Sequence, residues 1–141
     1  MKDLTHFIPE LKAPISSAEA LALHPMSLAF IGDSVHSLFV RSEVTIGSDK
    51  QTGELHKEVT KEVCAIKQAV IADNLLSSLH DVEADIFRRA RNARVHTTAK
   101  HAALSQYRKA SGFEAVIGYL YLTGQTDRIV ELLNLATTDE C

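Results

Sequence analysis

Apolar residues recur at helical spacing along most of the chain, and no stretch alternates as a half-buried strand would. Ser16 or Ser17 can cap a short helix ending near Leu23, and Pro25 suits the first turn of the next. That second helix is predicted over 25–44, followed by a loop at Gly47, Ser48 and Asp49. Further helices are predicted over 55–63 and 65–79, with a bend near Cys64. Asp81 is the expected cap for 82–91, and residues 92–106 read as irregular. A helix over 107–122 should stop at Thr123-Gly124, with Gly124 just past its end. Thr126 is the expected cap of a last helix over 127–136. The pattern is all-α, six to seven helices in a single domain over 15–141, preceded by an arm at 1–14.

Two of these helices carry an acid in apolar company. In LAFIGDSVHSLFV, Leu28, Ile31, Val35, Leu38 and Phe39 form one apolar face. Ala29, Phe30 and Val40 make the opposite side largely apolar too, so the helix reads as buried nearly all round. Asp33 lies on that second side, and no other acid occurs between Glu19 and Glu43. FEAVIGYLYL repeats the arrangement: Phe113, Val116, Ile117, Leu120 and Tyr121 share a face, and Glu114 is its only charged residue. A buried carboxylate must find a cation, a metal or a proton. Gly32 stands beside Asp33, and Gly118 stands one turn after Glu114. Interior glycine costs a helix about 1 kcal/mol relative to alanine, so two of them point to close packing or space for a ligand.

Charge sharpens this picture. Residues 86–113 hold seven of the fifteen Lys and Arg and no acid, so they sum to +7 within a chain of net charge −3. A segment of one sign suits a polyanion, whereas a solvated face usually mixes signs. An arginine such as Arg41 or Arg108 would neutralise either acid. Recurrence of the buried acid on two core helices beside this basic segment favours a shared divalent cation. Carboxylate oxygens and waters suit Mg²⁺. The seven histidines are scattered, without H-x-x-x-H or a cysteine pair, which speaks against zinc. Carboxylates, Mg²⁺ and a phosphate-binding surface together fit phosphodiester hydrolysis. No P-loop glycine pattern is present.

Composition excludes several classes. Hydrophobic residues make up 45% and charged residues 23% of 141, which is globular rather than low-complexity or collagenous. No apolar run approaches the ~18 residues of a membrane span, and the N-terminus lacks the pattern of a signal peptide. Two cysteines without C-x-x-C point to a reducing cytoplasm.

At this point the chain resembles a known family. LAFIGDSVHSLFVR looks like the F-L-G-D-A-V-L helix of the ribonuclease III catalytic domain. FEAVIGYLYL is similar to that family's D-x-x-E-A-x-x-G-x-x-Y/L motif, and GELHK to its G-x-L-S-K segment. RRARNARVHTTAK followed by YRKASGFEA resembles the short bacterial branch, Mini-ribonuclease III, which has no separate double-stranded-RNA-binding domain. The likeness covers about residues 20–135.

The resemblance implies the ribonuclease III endonuclease fold, with Asp33 on the family's catalytic aspartate and Glu114 on its metal-binding glutamate. Ala29 and Ser111 stand where full-length ribonuclease III has a glutamate and an aspartate, a departure the short branch shares. The implied protein is a homodimeric, Mg²⁺-dependent endonuclease, with Mn²⁺ as the substitute ion, acting on double-stranded RNA. It would mature the ends of precursor 23S ribosomal RNA in the cytoplasm. A-form duplexes are read through phosphates and 2′-hydroxyls, which a basic loop and helix ends can contact. Arg88, Arg91 and Arg94, then Thr97, Thr98 and Lys100, then Tyr107 and Arg108 are the expected contacts. For Arg88 and Arg89 the competing expectation is a surface ion pair with Glu83 or Asp85. Two rival functions remain at this stage: a non-catalytic duplex-RNA-binding protein of ribosome assembly, and a structural helical oligomer. The roles of His56 and His96 stay open.

Overall fold

The computed structural model describes residues 11–46, 65–93 and 104–135, with Glu54 and Lys57 as isolated helical positions between the first two. Six α-helices occur among the described residues: α1 Ser17–Leu21, α2 Pro25–Ile46, α3 Ala65–Leu75, α4 Asp81–Arg91, α5 Leu104–Leu122 and α6 Thr126–Leu135. A single 3₁₀ turn, Leu76–Ser78, extends α3. The expected helix over 55–63 and the bend near Cys64 lie outside the described residues.

The helix starts are chemical. Ser16 accepts from the Glu19 backbone N–H at 3.1 Å, while the Glu19 carboxylate accepts from the Ser16 N–H at 3.2 Å, a reciprocal cap. His24 Nδ1 accepts the Met26 N–H at 3.1 Å, satisfying a free donor at the start of α2. Asp81 was expected to cap α4, but it is already the first helical residue. The cap position is His80, whose N–H is held by the Glu83 carboxylate at 2.9 Å. The sequence around α3 also differs from expectation: the helix ends at Leu75, and Leu79 is already extended. α5 begins three residues earlier than its pattern suggests, at Leu104, so Ser105 and Gln106 are helical. Thr126 is the first residue of α6 rather than its cap, and the helix is described to Leu135. Gly124 has φ +76°, the left-handed conformation that closes α5 as expected.

α5 is the axis of the fold, packed by α2, α3 and α4 and more lightly by α1 and α6. From Ala110 to Leu120 every residue except Glu114 is buried. Leu28, Ile86, Ile117, Leu120, Ile129 and Leu132 are the largest fully enclosed side chains among the described residues, and they come from α2, α4, α5 and α6. α4 and α6 are clasped by a buried ion pair. Glu83 is only 3% exposed, and both its oxygens accept from Arg128, at 2.8 and 2.9 Å. Arg128 Nη2 also donates to the Ser78 carbonyl at 2.8 Å. Burial would raise the Glu83 carboxyl, but the Arg128 and His80 hydrogen bonds outweigh it and hold the group below its ordinary value. Removing one partner of such a pair costs about 3–5 kcal/mol, because the other is left charged and buried.

One expectation is overturned. α2 is not buried all round: Leu28, Ala29, Gly32, Val35, His36, Phe39 and Val40 face the core, but Phe30 is 81% exposed, and Leu38 and Asp33 are exposed too. Among the described residues, the helices packed on α2 cover this one side, and Phe30 and Leu38 face outward.

Candidate active site

The approach of α2 and α5 builds the site. A Cβ placed on Gly32 would lie 1.7 Å from the Glu114 carbonyl oxygen, and one on Gly118 would lie 1.9 Å from the Leu28 carbonyl oxygen. The two backbones therefore touch at two points one turn apart, in antiparallel register, and only glycine fits at either. The interior glycines noted in the sequence are there for this crossing. Since Gly32 meets Glu114, the next residue of α2, Asp33, comes beside the Glu114 side chain.

Asp33 and Glu114 are hydrogen-bonded through their carboxyl groups. Asp33 is exposed, whereas Glu114 is largely enclosed by α5's own neighbours. Burial, then the hydrogen bond and charge of Asp33, push the Glu114 carboxyl up to about 9. At neutral pH the Glu114 carboxyl therefore keeps its proton. Among the described residues neither acid forms an ion pair with Arg41 or Arg108, and Glu114 has Asp33 beside it. Two oxygen donors with one face open to solvent fit a hard divalent cation that keeps several of its own waters. Among the described residues no group of three or more His, Cys, Asp or Glu side chains is assembled to hold an ion. Ala29 and Ser111 are both buried and bring no carboxylate.

Behind the pair lies a residue that the sequence reading left unassigned. His36, one turn after Asp33, is 3% exposed and packs edge-to-face on Phe113, with ring centroids 5.1 Å apart and planes at 87°. Its Nδ1 is 3.4 Å from Gln68 Nε2 of α3. Burial lowers its pKa to about 4, against the opposing pull of Asp33, so the ring is neutral. Its position four residues after Gly32, on the core face, is the signal that marks it as buried.

The basic segment is partly assembled. Arg91, Asn92, Leu104, Ser105, Arg108 and Lys109 line a surface cavity of about 340 Å³ where the end of α4 meets the start of α5. Lys109, not among the expected contacts, also reaches Asp73 of α3 at 3.0 Å. Arg88 is exposed and forms an ion pair with Asp85, the competing expectation for it. Arg89 instead donates to the Leu21 carbonyl at 3.4 Å. Tyr107 is half-buried on α5. Arg94, Thr97, Thr98 and Lys100 lie outside the described residues.

The ribonuclease III domain family model matches residues 26–125, which contain both acids and the basic segment. A Mini-ribonuclease 3 from Thermoanaerobacter sp. is 42% identical over 116 residues, covering 82% of either chain. That of Symbiobacterium thermophilum is 39% identical over 119 residues, 84% of this chain and 92% of its own. That of Staphylococcus aureus is 39% identical over 118 residues, 82% of this chain and 88% of its own. A crystal structure of a protein from Fusobacterium nucleatum superposes with a TM-score of 0.75 at 26% identity, covering 81% of this chain and 91% of that one. With its helical architecture, its paired acids and these relatives, the chain belongs to the ribonuclease III family, in the Mini-ribonuclease III branch, and is an endoribonuclease of that type.

Proposed function

We propose that this endoribonuclease hydrolyses double-stranded RNA with Mg²⁺ held by Asp33 and Glu114, works as a homodimer, and matures the ends of precursor 23S ribosomal RNA in the cytoplasm. The observation that carries the reading is the Asp33–Glu114 pair, two carboxyl groups brought side by side near the surface where α2 crosses α5 at Gly32. A divalent ion bound there would generate hydroxide and offset the charge that builds on the phosphate oxygens. The chain's own residues supply the rest. Asp33 presents its carboxylate to solvent, where a phosphodiester can approach. Glu114, largely enclosed beside it, would hold a bound cation once its proton is displaced. Arg91 and Arg108 attract the duplex backbone toward the cavity they line, with Arg94, Thr97, Thr98, Lys100 and Tyr107 as further expected contacts. The exposed apolar side of α2, with Phe30 one turn before Asp33, supports a homodimer, since single chains seldom leave such a face to water.

The test is a cleavage assay on radiolabelled duplex RNA in Mg²⁺ and in chelator, with the parental protein, Asp33→Asn and Glu114→Gln. Both amides keep side-chain shape and lose ligand charge. Each should bind duplex RNA in Ca²⁺ as the parent does and lose cleavage by about 100-fold or more, the scale for a group acting in the transition state. Near-parental cutting by either folded variant, or by the parent in chelator, would overturn the two-carboxylate site.

A further inference from the structure

The pair is held from behind by a polar contact that the chemistry above does not use. Two of the contacts that space α2 and α5 lie next to the acids. One is the glycine crossing at Gly32 and Glu114. The other, one turn along α2, is the edge-to-face contact of His36 with Phe113, the residue preceding Glu114. His36 is in turn tied to Gln68 of α3, which is 2% exposed. One imidazole thus touches three helices, and on two of them it sits beside an acid. An aliphatic side chain would fill the same space: the F-L-G-D-A-V-L motif has leucine at the position of His36. A buried polar pair where an apolar residue would pack is directional, and an aliphatic contact is not.

We infer that His36, oriented by Gln68, is a positioning residue that sets the separation of the Asp33 and Glu114 carboxyl groups and so the strength with which they hold a divalent cation. This rests on the metal reading of the pair given above. With Gln68 Nε2 as donor, His36 Nδ1 is the acceptor and the ring proton sits on Nε2. The ring tilts if Gln68 cannot donate, and the Phe113 contact moves with it. A neutral ring also adds no positive charge behind the acids.

The experiment compares His36→Leu, Gln68→Leu and the double variant with the parental protein. Three readouts are taken: thermal unfolding, Mn²⁺ affinity of the RNA-free protein by electron paramagnetic resonance, and the Mg²⁺ concentration for half-maximal cleavage of duplex RNA. Each single variant leaves one buried polar group unpaired and should unfold at lower temperature. The double variant leaves neither and should regain the parental unfolding temperature. All three variants should nonetheless bind Mn²⁺ about tenfold more weakly and need about tenfold more Mg²⁺, as expected for groups that orient metal ligands. A purely structural pair would behave otherwise, with metal affinity returning in the double variant together with stability. That outcome overturns the inference, as does a folded single variant with parental Mn²⁺ affinity. Should the single variants fail to fold, the double variant decides. A parental protein that binds no Mn²⁺ and cuts equally well in chelator would overturn the metal reading itself, and the positioning role with it.

Discussion

Glu114 has the most perturbed environment described in this protein: enclosed by helix, hydrogen-bonded to another acid, and raised to about 9 from an ordinary 4.5. The folded chain therefore keeps a proton that the unfolded chain gives up, and folding stability must fall as pH rises through that interval. His36 has the opposite sign. Lowered to about 4 from 6.5, it costs stability as pH falls below about 6.5. Between pH 6.5 and 9 the Glu114 contribution thus acts without that of His36. Glu114→Gln cannot ionise, so in metal-free buffer it should unfold at higher temperature than the parent at pH 8 and show a flatter dependence across 6.5–9. Each 1 kcal/mol regained moves the midpoint by about 4 °C at this chain length. Calorimetry in chelator over that range is the measurement, and parallel pH profiles would show that the carboxyl is not held as described. The need for Glu114 to find a counterpart was legible from its apolar surroundings. That the counterpart is Asp33 was not, because the two acids lie on helices far apart in the chain.

At the scale of the elements, the crossing of α2 over α5 is the least forgiving contact. Gly32→Ala would set a methyl group within 1.7 Å of the Glu114 carbonyl oxygen and 2.8 Å of the Gly118 nitrogen. Both are backbone, so the helices must part. Overpacking of this kind costs about 3 kcal/mol or more. Here it also separates Asp33 from Glu114, so cleavage should fall further than stability alone explains. Comparing the unfolding midpoint with cleavage measured well below it separates the two losses; a Gly32→Ala protein with parental stability would mean the backbones are not in contact. Helix identity was readable along all six described helices, because each rests on a local 3.6-residue period. The ends of α3 and α5 were less so. Leu76 and Leu79 continue the apolar pattern, but Leu76–Ser78 wind as a 3₁₀ turn, whose Ser78 carbonyl Arg128 holds, and Leu79 is extended. Ser105 and Gln106 read as loop residues yet lie in the first turn of α5, with Ser105 lining the basic cavity.

For the whole molecule, the charge asymmetry becomes a surface. Arg91 and Arg108, separate in sequence, line one cavity at the junction of α4 and α5. Binding to duplex RNA should weaken steeply with salt, since each neutralised phosphate releases condensed counterions. Arg91→Ala and Arg108→Ala should each lower the log–log salt slope by about 0.9, taking the duplex-DNA value as a guide. Arg88→Ala should lower it less, because Asp85 already holds that guanidinium. All three should weaken unrelated duplexes alike, as phosphate contacts carry no base information. A salt titration in Ca²⁺ measures this, and unchanged slopes for Arg91→Ala and Arg108→Ala would place the duplex elsewhere on the protein. No helix among the described residues is long and apolar enough to cross a membrane.

Features that depend on neighbours along the chain are legible in the amino-acid order. They cover the all-helical class, a serine cap at Ser16 or Ser17, the glycine stop at Gly124, the single-signed segment, and the lone acid Glu114 in an apolar helix. The chain's resemblance to the ribonuclease III motifs turned Asp33 and Glu114 into a candidate site. Helix packing set which side of α2 is covered, and therefore that Phe30 and Asp33 face outward while His36 is enclosed. It also decided that Gly32 lands on Glu114 rather than on another turn of α5, which makes two separate carboxyl groups into one pair. Helical period and caps are local interactions, written within a few residues of one another. The register of two helices is set by how their surfaces interlock, and no single stretch of sequence contains both surfaces.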